Sequence, residues 1–245
     1  MLNIKNRSLL ALACGDSYGS YYEMYGLSGV TFDINKLPNI PIEKRITDDT
    51  KMAMILLEHY KRYDKLDTDF LLKNYVHWAK TDGQKDGIGL HTYDVLIKNK
   101  KDKDSQGNGA LMRVISFGLK LIEDGYSFDK AVELMNIDSA LTHENDTIFL
   151  SNRLCLDIAV NGIEVLDKKE YKQIVSKLKS GDTAWVIHTL FIVIKVFKMN
   201  LNFLDSFKQI VSVGGDTDTN CAIFGAIKGY KDNISEELNI KAFLP

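Results

Sequence analysis

Apolar residues recur at intervals of three and four along most of this chain, the spacing that lines one face of an α-helix. Examples run from Met52 to His59, from Leu111 to Ile122 and from Ile187 to Phe197. The best strand candidates, Gly29 to Asp33 and Ile40 to Ile46, are short and too few to build a sheet. The pattern therefore predicts an all-α fold of about eight to eleven helices.

Proline, the strongest helix breaker, is almost absent. It occurs at Pro38, Pro41 and Pro245, so residues 42–244 contain none and long helices are permitted throughout. The chain has 245 residues, 45% of them hydrophobic, which is enough to bury one sizeable core. We expect one domain over residues 1–245, a single compact orthogonal helical bundle.

The charge balance is close to neutral, with 31 Lys and Arg against 33 Asp and Glu. No basic surplus is present for a nucleic-acid backbone, and no apolar run reaches the eighteen residues of a membrane span. Cys14, Cys155 and Cys221 are odd in number and lie in apolar helical stretches, which is typical of reduced thiols. We therefore expect a cytoplasmic protein that binds neither nucleic acid nor membrane. Among the few arginines, Arg113 stands out as a buried or ligand-facing cation.

Two acidic clusters each precede a predicted helix: Thr47-Asp48-Asp49-Thr50 and the segment from Gly214 to Asn220, which reads GGDTDTN. Asp and Thr at such positions commonly cap a helix by accepting backbone N–H bonds. One side chain is enough for a cap, whereas each cluster offers two carboxylates. The additional carboxylates need another partner.

Convergence of the two clusters would supply that partner. Four carboxylates in a small volume repel, each pair at about 4 Å by up to roughly 4 kcal/mol at a surface-like dielectric. Divalent cations remove this repulsion, and carboxylates with threonine hydroxyls are hard oxygen ligands. The sequence thus favours two Mg²⁺ or Mn²⁺ ions over zinc.

Two features near the N-terminus suggest other chemistry. The segment from Gly15 to Gly19 reads GDSYG and matches the G-x-S-x-G motif of serine hydrolases, which would make Ser17 a nucleophile. Its Leu/Ala-rich setting favours close helix packing instead. Glu23 lies among three tyrosines, where it is either an ordinary exposed acid or an acid with a raised pKa.

Glycine-rich helix starts offer backbone N–H donors to an anion. Gly107-Asn108-Gly109-Ala110 precedes the helix that begins at Leu111, and Gly87-Ile88-Gly89 precedes another helix. His143 follows Thr142 at the predicted start of a helix that reaches Val160. There it is either a capping or core histidine, or a hydrogen-bond partner of a ligand.

Taken in order, these motifs resemble the ADP-ribosylglycohydrolase family, which includes the dinitrogenase reductase activating glycohydrolases. The resemblance spans residues 8–230. It rests on Gly15-Asp16, Glu23, Thr47-Asp48-Asp49-Thr50, the segment from Gly107 to Arg113, Thr142-His143 and the segment from Gly214 to Asn220.

The resemblance implies an all-α hydrolase with two Mg²⁺ or Mn²⁺ ions that releases ADP-ribose from a protein side chain or a small conjugate. Its implied catalytic residues are Glu23, as acid/base, and Asp49. Its implied metal ligands are Thr47, Asp48, Asp49, Asp216, Asp218 and Thr219. Its implied substrate-binding residues are Gly87, Gly89, Gly107, Asn108, Gly109, Met112 and His143.

One segment bears on the bond that is cleaved. Arginine-directed members commonly carry Asp-Ile-Gly where this chain reads Asp86-Gly87-Ile88-Gly89, a form closer to the serine-directed branch. We therefore expect an O-glycosidic, serine-type linkage and a monomeric enzyme. An arginine-directed N-glycosidic hydrolase and a non-catalytic ADP-ribose binder, as in crystallin-type relatives, are the alternatives.

Overall fold

Helices form where the apolar spacing predicts them. The computed structural model describes residues 4–245, and that range contains fifteen α-helices and no β-strand. The ten longer helices are α1 (Arg7–Gly19), α3 (Asp48–Tyr63), α4 (Thr68–Thr81), α6 (Leu90–Lys98), α7 (Leu111–Glu123), α8 (Phe128–Ser139), α9 (Asp146–Asn161), α11 (Val186–Phe197), α12 (Phe203–Val213) and α13 (Thr217–Lys228). The five short ones are α2 (Glu23–Leu27), α5 (Gly83–Asp86), α10 (Lys172–Val175), α14 (Ile234–Glu237) and α15 (Ile240–Phe243). The all-α prediction is confirmed, and the short helices raise the number above the expected range.

Both strand candidates are wrong. Gly29 to Asp33 and Ile40 to Ile46 form irregular segments on either side of a 3-10 helix, Ile34–Lys36. The ring of Phe32 lies edge-on to Tyr22 with centroids 4.9 Å apart and Ile46 is buried, whereas Val30, Ile40 and Ile42 are exposed.

Helices α1 and α13 touch through their backbones. A Cβ added at Gly15 would lie 2.2 Å from the carbonyl oxygen of Cys221, and one at Gly19 would lie 2.3 Å from that of Thr217. From the other side, a Cβ at Gly225 would lie 2.3 Å from the Ala11 carbonyl oxygen. Such an approach requires glycine. It places the start of α13 beside the second half of α1.

The predicted helix from His143 to Val160 begins three residues later than expected. α9 starts at Asp146 because the side chain of Asn145 accepts the Thr147 N–H at 2.9 Å and caps it. His143 therefore lies in the turn that follows α8.

The core is built mainly around α7, which packs against α3, α8, α9 and α13. All three cysteines are buried and unbonded to one another. Among residues 4–245, no helix combines the length and the apolar character that crossing a membrane requires.

Candidate metal and substrate site

The two acidic clusters lie against each other at the starts of α3 and α13. Thr219 Oγ1 donates a hydrogen bond to Asp49 Oδ2 at 3.3 Å. One carboxylate oxygen from each of Asp16, Asp49 and Asp218 lies within 4.8 Å of the other two, and the same holds for Glu23, Asp216 and Asp218. Asp218 belongs to both triads, so they form one continuous acidic cluster.

Capping does not explain these residues. Thr47 and Asp216 occupy the N-cap positions of α3 and α13, yet neither side chain accepts a bond from its own helix. Thr47 Oγ1 instead lies 2.8 Å from Asp16 Oδ1 and 3.1 Å from Asp49 Oδ2. Asp216 Oδ2 accepts the amide N–H of Asn108 at 2.8 Å. Thr47 thus bonds carboxylates of the cluster, and Asp216 bonds the loop that contains Asn108.

Asp16 was not singled out as a site residue from the sequence. It is fully buried in α1 and accepts the backbone N–H groups of Thr47 and Thr50 at 2.9 and 3.3 Å, as well as both threonine hydroxyls. Burial raises its pKa to about 6 in spite of these bonds. One signal in the sequence could have identified Asp16. It is a carboxylate on a helix face of small residues, and a buried ionisable group there needs polar partners.

Negative charge accumulates in the cluster, although the charge of Arg45 lowers the pKa of Glu23 in part. Burial, and then the charges of neighbouring carboxylates, raise the pKa values of Asp48, Asp49 and Asp218 well above their usual range. Burial, and then the charge of Asp216, raise the pKa of half-buried Glu23 to about 7.

The cluster fits hard divalent cations. Asp49 Oδ1 is buried and has no hydrogen-bond partner within residues 4–245, which is costly for a carboxylate unless a ligand occupies it. Both triads offer carboxylate oxygens alone, without histidine or cysteine. Such a donor set suits Mg²⁺ or Mn²⁺ better than zinc.

The loop from Gly87 to Gly89 lies over this cluster. Gly89 N–H donates to Asp48 Oδ2 at 3.4 Å, and Gly87 has a φ of +97°, a backbone conformation that favours glycine. Asp48 thus faces the loop and belongs to neither triad.

The second glycine loop runs from Gly107 to Gly109 and lies against His143. A Cβ at Gly107 would lie 3.3 Å from His143 Nε2, and one at Gly109 would lie 3.2 Å from its Cε1. The Asn108 side chain donates to Thr189 and Asp216. Met112 is buried in the core beneath this loop.

Arg113 is the buried cation that its sequence context suggested, and it ties this loop to its surroundings. Arg113 is 0% exposed, and it donates to Asp138 Oδ2 at 2.7 Å, to the Gly109 carbonyl at 2.8 Å and to Thr142 Oγ1 at 2.9 Å. The role of Asp138 could not be read from the sequence, because nothing in the local pattern indicates its partner.

The serine-nucleophile alternative is wrong. Ser17 lies inside α1 and is buried, and its hydroxyl donates to the Phe243 carbonyl at 2.6 Å. A nucleophile elbow requires an exposed serine on a turn between a strand and a helix.

The structure is that of an all-helical protein with a buried carboxylate cluster beside two glycine loops. Comparison with known proteins identifies its family. The sequence profile of the family described as ADP-ribosylglycohydrolase matches residues 6–236. The chain belongs to this family.

Two relatives agree with this assignment. A protein of Acanthamoeba polyphaga mimivirus named "Putative ADP-ribosyl glycohydrolase" is 21% identical over 292 aligned residues, which cover 94% of this chain and 87% of the relative. A solved structure titled "ADP-ribosylglycohydrolase-related protein complex" superposes with a TM-score of 0.73 at 17% identity, covering 99% of this chain and 94% of that one. This structural likeness shows the shared fold.

Proposed function

We propose that this protein is a Mg²⁺- or Mn²⁺-dependent hydrolase that releases ADP-ribose from an ADP-ribosylated protein side chain or a small conjugate. The main support is the convergence of Asp49, Asp216 and Asp218 in one buried cluster, where Asp49 Oδ1 has no partner among the described residues. Family membership supports the substrate class.

The oxygens that would hold the cations come from the starts of α3 and α13, with additional carboxylates from the second half of α1 and from α2. The proposed ligands are Thr47, Asp48, Asp49, Asp216, Asp218 and Thr219, with Glu23 at the edge and Asp16 supporting the turn. When bound, such ions orient and polarise the oxygens of the substrate next to the bond that is cleaved.

Glu23 is our candidate acid/base. In the metal-free protein its pKa is raised to about 7, toward the range in which a side chain transfers protons efficiently near neutral pH. In one state it would protonate the departing oxygen, and in the other it would take a proton from the attacking water. Asp49 would share the catalytic role by fixing the geometry of the cluster.

The loop beside Asp48 supports an O-glycosidic linkage. Asp86 is the acid nearest to Gly87 in sequence, and its carboxylate accepts the Trp78 indole N–H at 2.9 Å. This oxygen is therefore committed to the protein. Asp86 is thus not available to pair with the guanidinium of an arginine-type acceptor, which favours a neutral serine-type acceptor; Asp48 remains as the carboxylate beside the loop.

Chromatography of released ADP-ribose tests the proposal. Serine-linked, arginine-linked and O-acetyl-linked ADP-ribose are incubated with the protein in Mg²⁺ or in EDTA. We expect turnover of the serine-type linkage in Mg²⁺ and none in EDTA. Faster release from arginine would contradict the linkage preference, and binding of ADP-ribose without turnover of any linkage would favour the non-catalytic binder.

A further inference from the structure

The hydrogen bonds around Thr142 determine which nitrogen of His143 carries a proton. Arg113 Nη2 lies 2.9 Å from Thr142 Oγ1. A guanidinium is only a donor, so the threonine oxygen accepts this bond. The hydroxyl keeps one hydrogen to donate, and His143 Nδ1 lies 2.8 Å away.

The opposite direction is costly. If His143 Nδ1 donated to Thr142 Oγ1, the threonine hydrogen would have no acceptor within residues 4–245. Thr142 is 0% exposed, so water does not replace that acceptor, and an unsatisfied buried donor costs about 1–3 kcal/mol. Nδ1 therefore accepts, and the proton of the neutral imidazole lies on Nε2.

Arg113 is fixed in place, which makes this arrangement rigid. Besides Thr142, it binds Asp138 and the carbonyl of Gly109. Asp138 also accepts the Tyr75 hydroxyl at 2.8 Å. The same arginine thus holds the glycine loop and, through Thr142, the imidazole that lies against that loop.

His143 Nε2 faces the loop without a partner. A Cβ at Gly107 would lie 3.3 Å from it, and among residues 4–245 the side-chain hydrogen bond of His143 is made through Nδ1. The side chain is 2% exposed. Burial, and then the charge of Arg113, lower its pKa well below the usual range, so the ring is neutral at physiological pH. A buried imidazole thus presents one N–H donor to whatever binds at the loop.

We infer that Arg113 and Thr142 are positioning residues that hold His143 as its Nε2–H tautomer, a fixed hydrogen-bond donor to an oxygen of the ADP-ribose. The inference rests on the proposed function for the identity of this ligand. The tautomer itself follows from the protein's own contacts.

Long-range ¹H–¹⁵N NMR of the imidazole rings reads the tautomer directly, with His143→Phe used for assignment. We expect the Nε2–H form in the wild type and in Thr142→Ser, with Nδ1 as a hydrogen-bonded acceptor. In Thr142→Val the Nδ1 resonance should move to the position of an acceptor without a hydrogen bond. An Nδ1–H form in the wild type would overturn the inference.

Calorimetric titration with ADP-ribose tests the donor role. Thr142→Val and His143→Phe should each weaken binding about tenfold, comparable to the loss of one hydrogen bond, while Thr142→Ser should bind normally. Because Thr142 acts through His143, the double variant should bind no more weakly than His143→Phe alone. Additive losses would mean a merely structural role for Thr142, and unchanged binding by His143→Phe would overturn the donor role.

Failure of the proposed function has a different signature. If the wild type neither binds nor hydrolyses ADP-ribose conjugates, the proposed substrate is wrong, and the NMR result alone decides whether Arg113 and Thr142 set the tautomer.

Discussion

Thr219 Oγ1 donates to Asp49 Oδ2 across 170 positions of sequence, at 3.3 Å. This bond joins the first turn of α13 to the first turn of α3, the two segments that supply most of the acidic cluster. The same Asp49 oxygen lies 3.1 Å from Thr47 Oγ1, whereas Oδ1 has no partner among the described residues. One oxygen of Asp49 therefore links the two turns, and our proposal assigns the other to a cation.

Asp49→Asn removes one of the mutually repelling charges. In EDTA we expect a higher free energy of unfolding than in the wild type, by about 1 kcal/mol or more, which corresponds to about 2–4 °C for a chain of this size. Mg²⁺ should stabilise the wild type and not the variant. Scanning calorimetry in EDTA and in Mg²⁺ measures both, and equal stabilisation of both proteins by Mg²⁺ would exclude Asp49 as a ligand.

Without metal, stability should fall as the pH rises. The pKa of Asp16 is raised from 3.8 to about 6 and that of Glu23 from 4.5 to about 7. The folded state therefore holds protons that the unfolded chain has already released, and its stability decreases as the pH rises through these values.

The useful window for this measurement is pH 6.5–8, because the lowered pKa of His143 acts in the opposite direction below its usual value of 6.5. We expect the melting temperature in EDTA to decrease across this window and Mg²⁺ to offset most of the decrease. A melting temperature in EDTA that stays level or rises would contradict the raised pKa values.

Glu23→Gln should separate chemistry from binding. If Glu23 transfers the proton, kcat should fall about a hundredfold to ten-thousandfold, while calorimetric binding of ADP-ribose stays close to wild type. The melting temperature in EDTA should not fall, because the substitution removes one of the mutually repelling charges. The pH dependence of the residual activity should lose the inflection that Glu23 contributes. A variant that retains both the rate and the inflection would rule out this role.

Gly19→Ala should disrupt the contact between α1 and α13. The added Cβ would lie 2.3 Å from the Thr217 carbonyl oxygen and 2.6 Å from the Asp218 Cα, so backbone must move. We expect a loss of about 3 kcal/mol of stability. The matched control is Gly89→Ala, since nothing lies within 4 Å of a Cβ there; equal melting temperatures for the two variants would contradict the close approach.

Asp16→Asn tests the attachment of α1 to the start of α3. The variant's amide nitrogen cannot accept the threonine N–H and O–H groups that Asp16 accepts, so both stability and Mn²⁺ affinity should fall. Asp157→Asn is the control, because Asp157 is buried away from the cluster and bonds Lys168 and Tyr171. It should lower stability alone. Titration with Mn²⁺ monitored by electron paramagnetic resonance distinguishes the two, and unchanged affinity in Asp16→Asn would show that the attachment is dispensable.

Much of the fold was predictable because helical spacing is local information. Short windows of sequence are enough to recognise the absence of proline over residues 42–244 and the apolar faces of α3, α7 and α11. The same holds for the acidic turns, where two carboxylates exceed what a cap uses. The residue at which a helix begins is less well determined. α9 starts at Asp146 and not near His143, because the side chain of Asn145 provides its N-cap.

Contacts between distant segments could not be predicted in this way. Two examples are the hydrogen bonds that join Asp16 to Thr47 and Thr50, and those that join Arg113 to Asp138 and Thr142. They depend on how the helices pack, and no periodic sequence pattern predicts them. The two false strands have a related origin, since Phe32 and Ile46 pack against distant parts of the chain without belonging to a sheet. Sequence motifs indicated the candidate site residues, whereas the residues that support them, such as Asp16 and Asp138, became visible only in three dimensions.

The glycine contact between α1 and α13 joins two segments that are synthesised far apart in time. Residues of α1 and α3 leave the ribosome long before Thr217, Asp218 and Thr219, so a nascent chain carries only half of the acidic cluster for most of its translation. The complete acidic cluster can therefore form only after α13 has been synthesised. On our proposal, cation binding and hydrolysis begin only then.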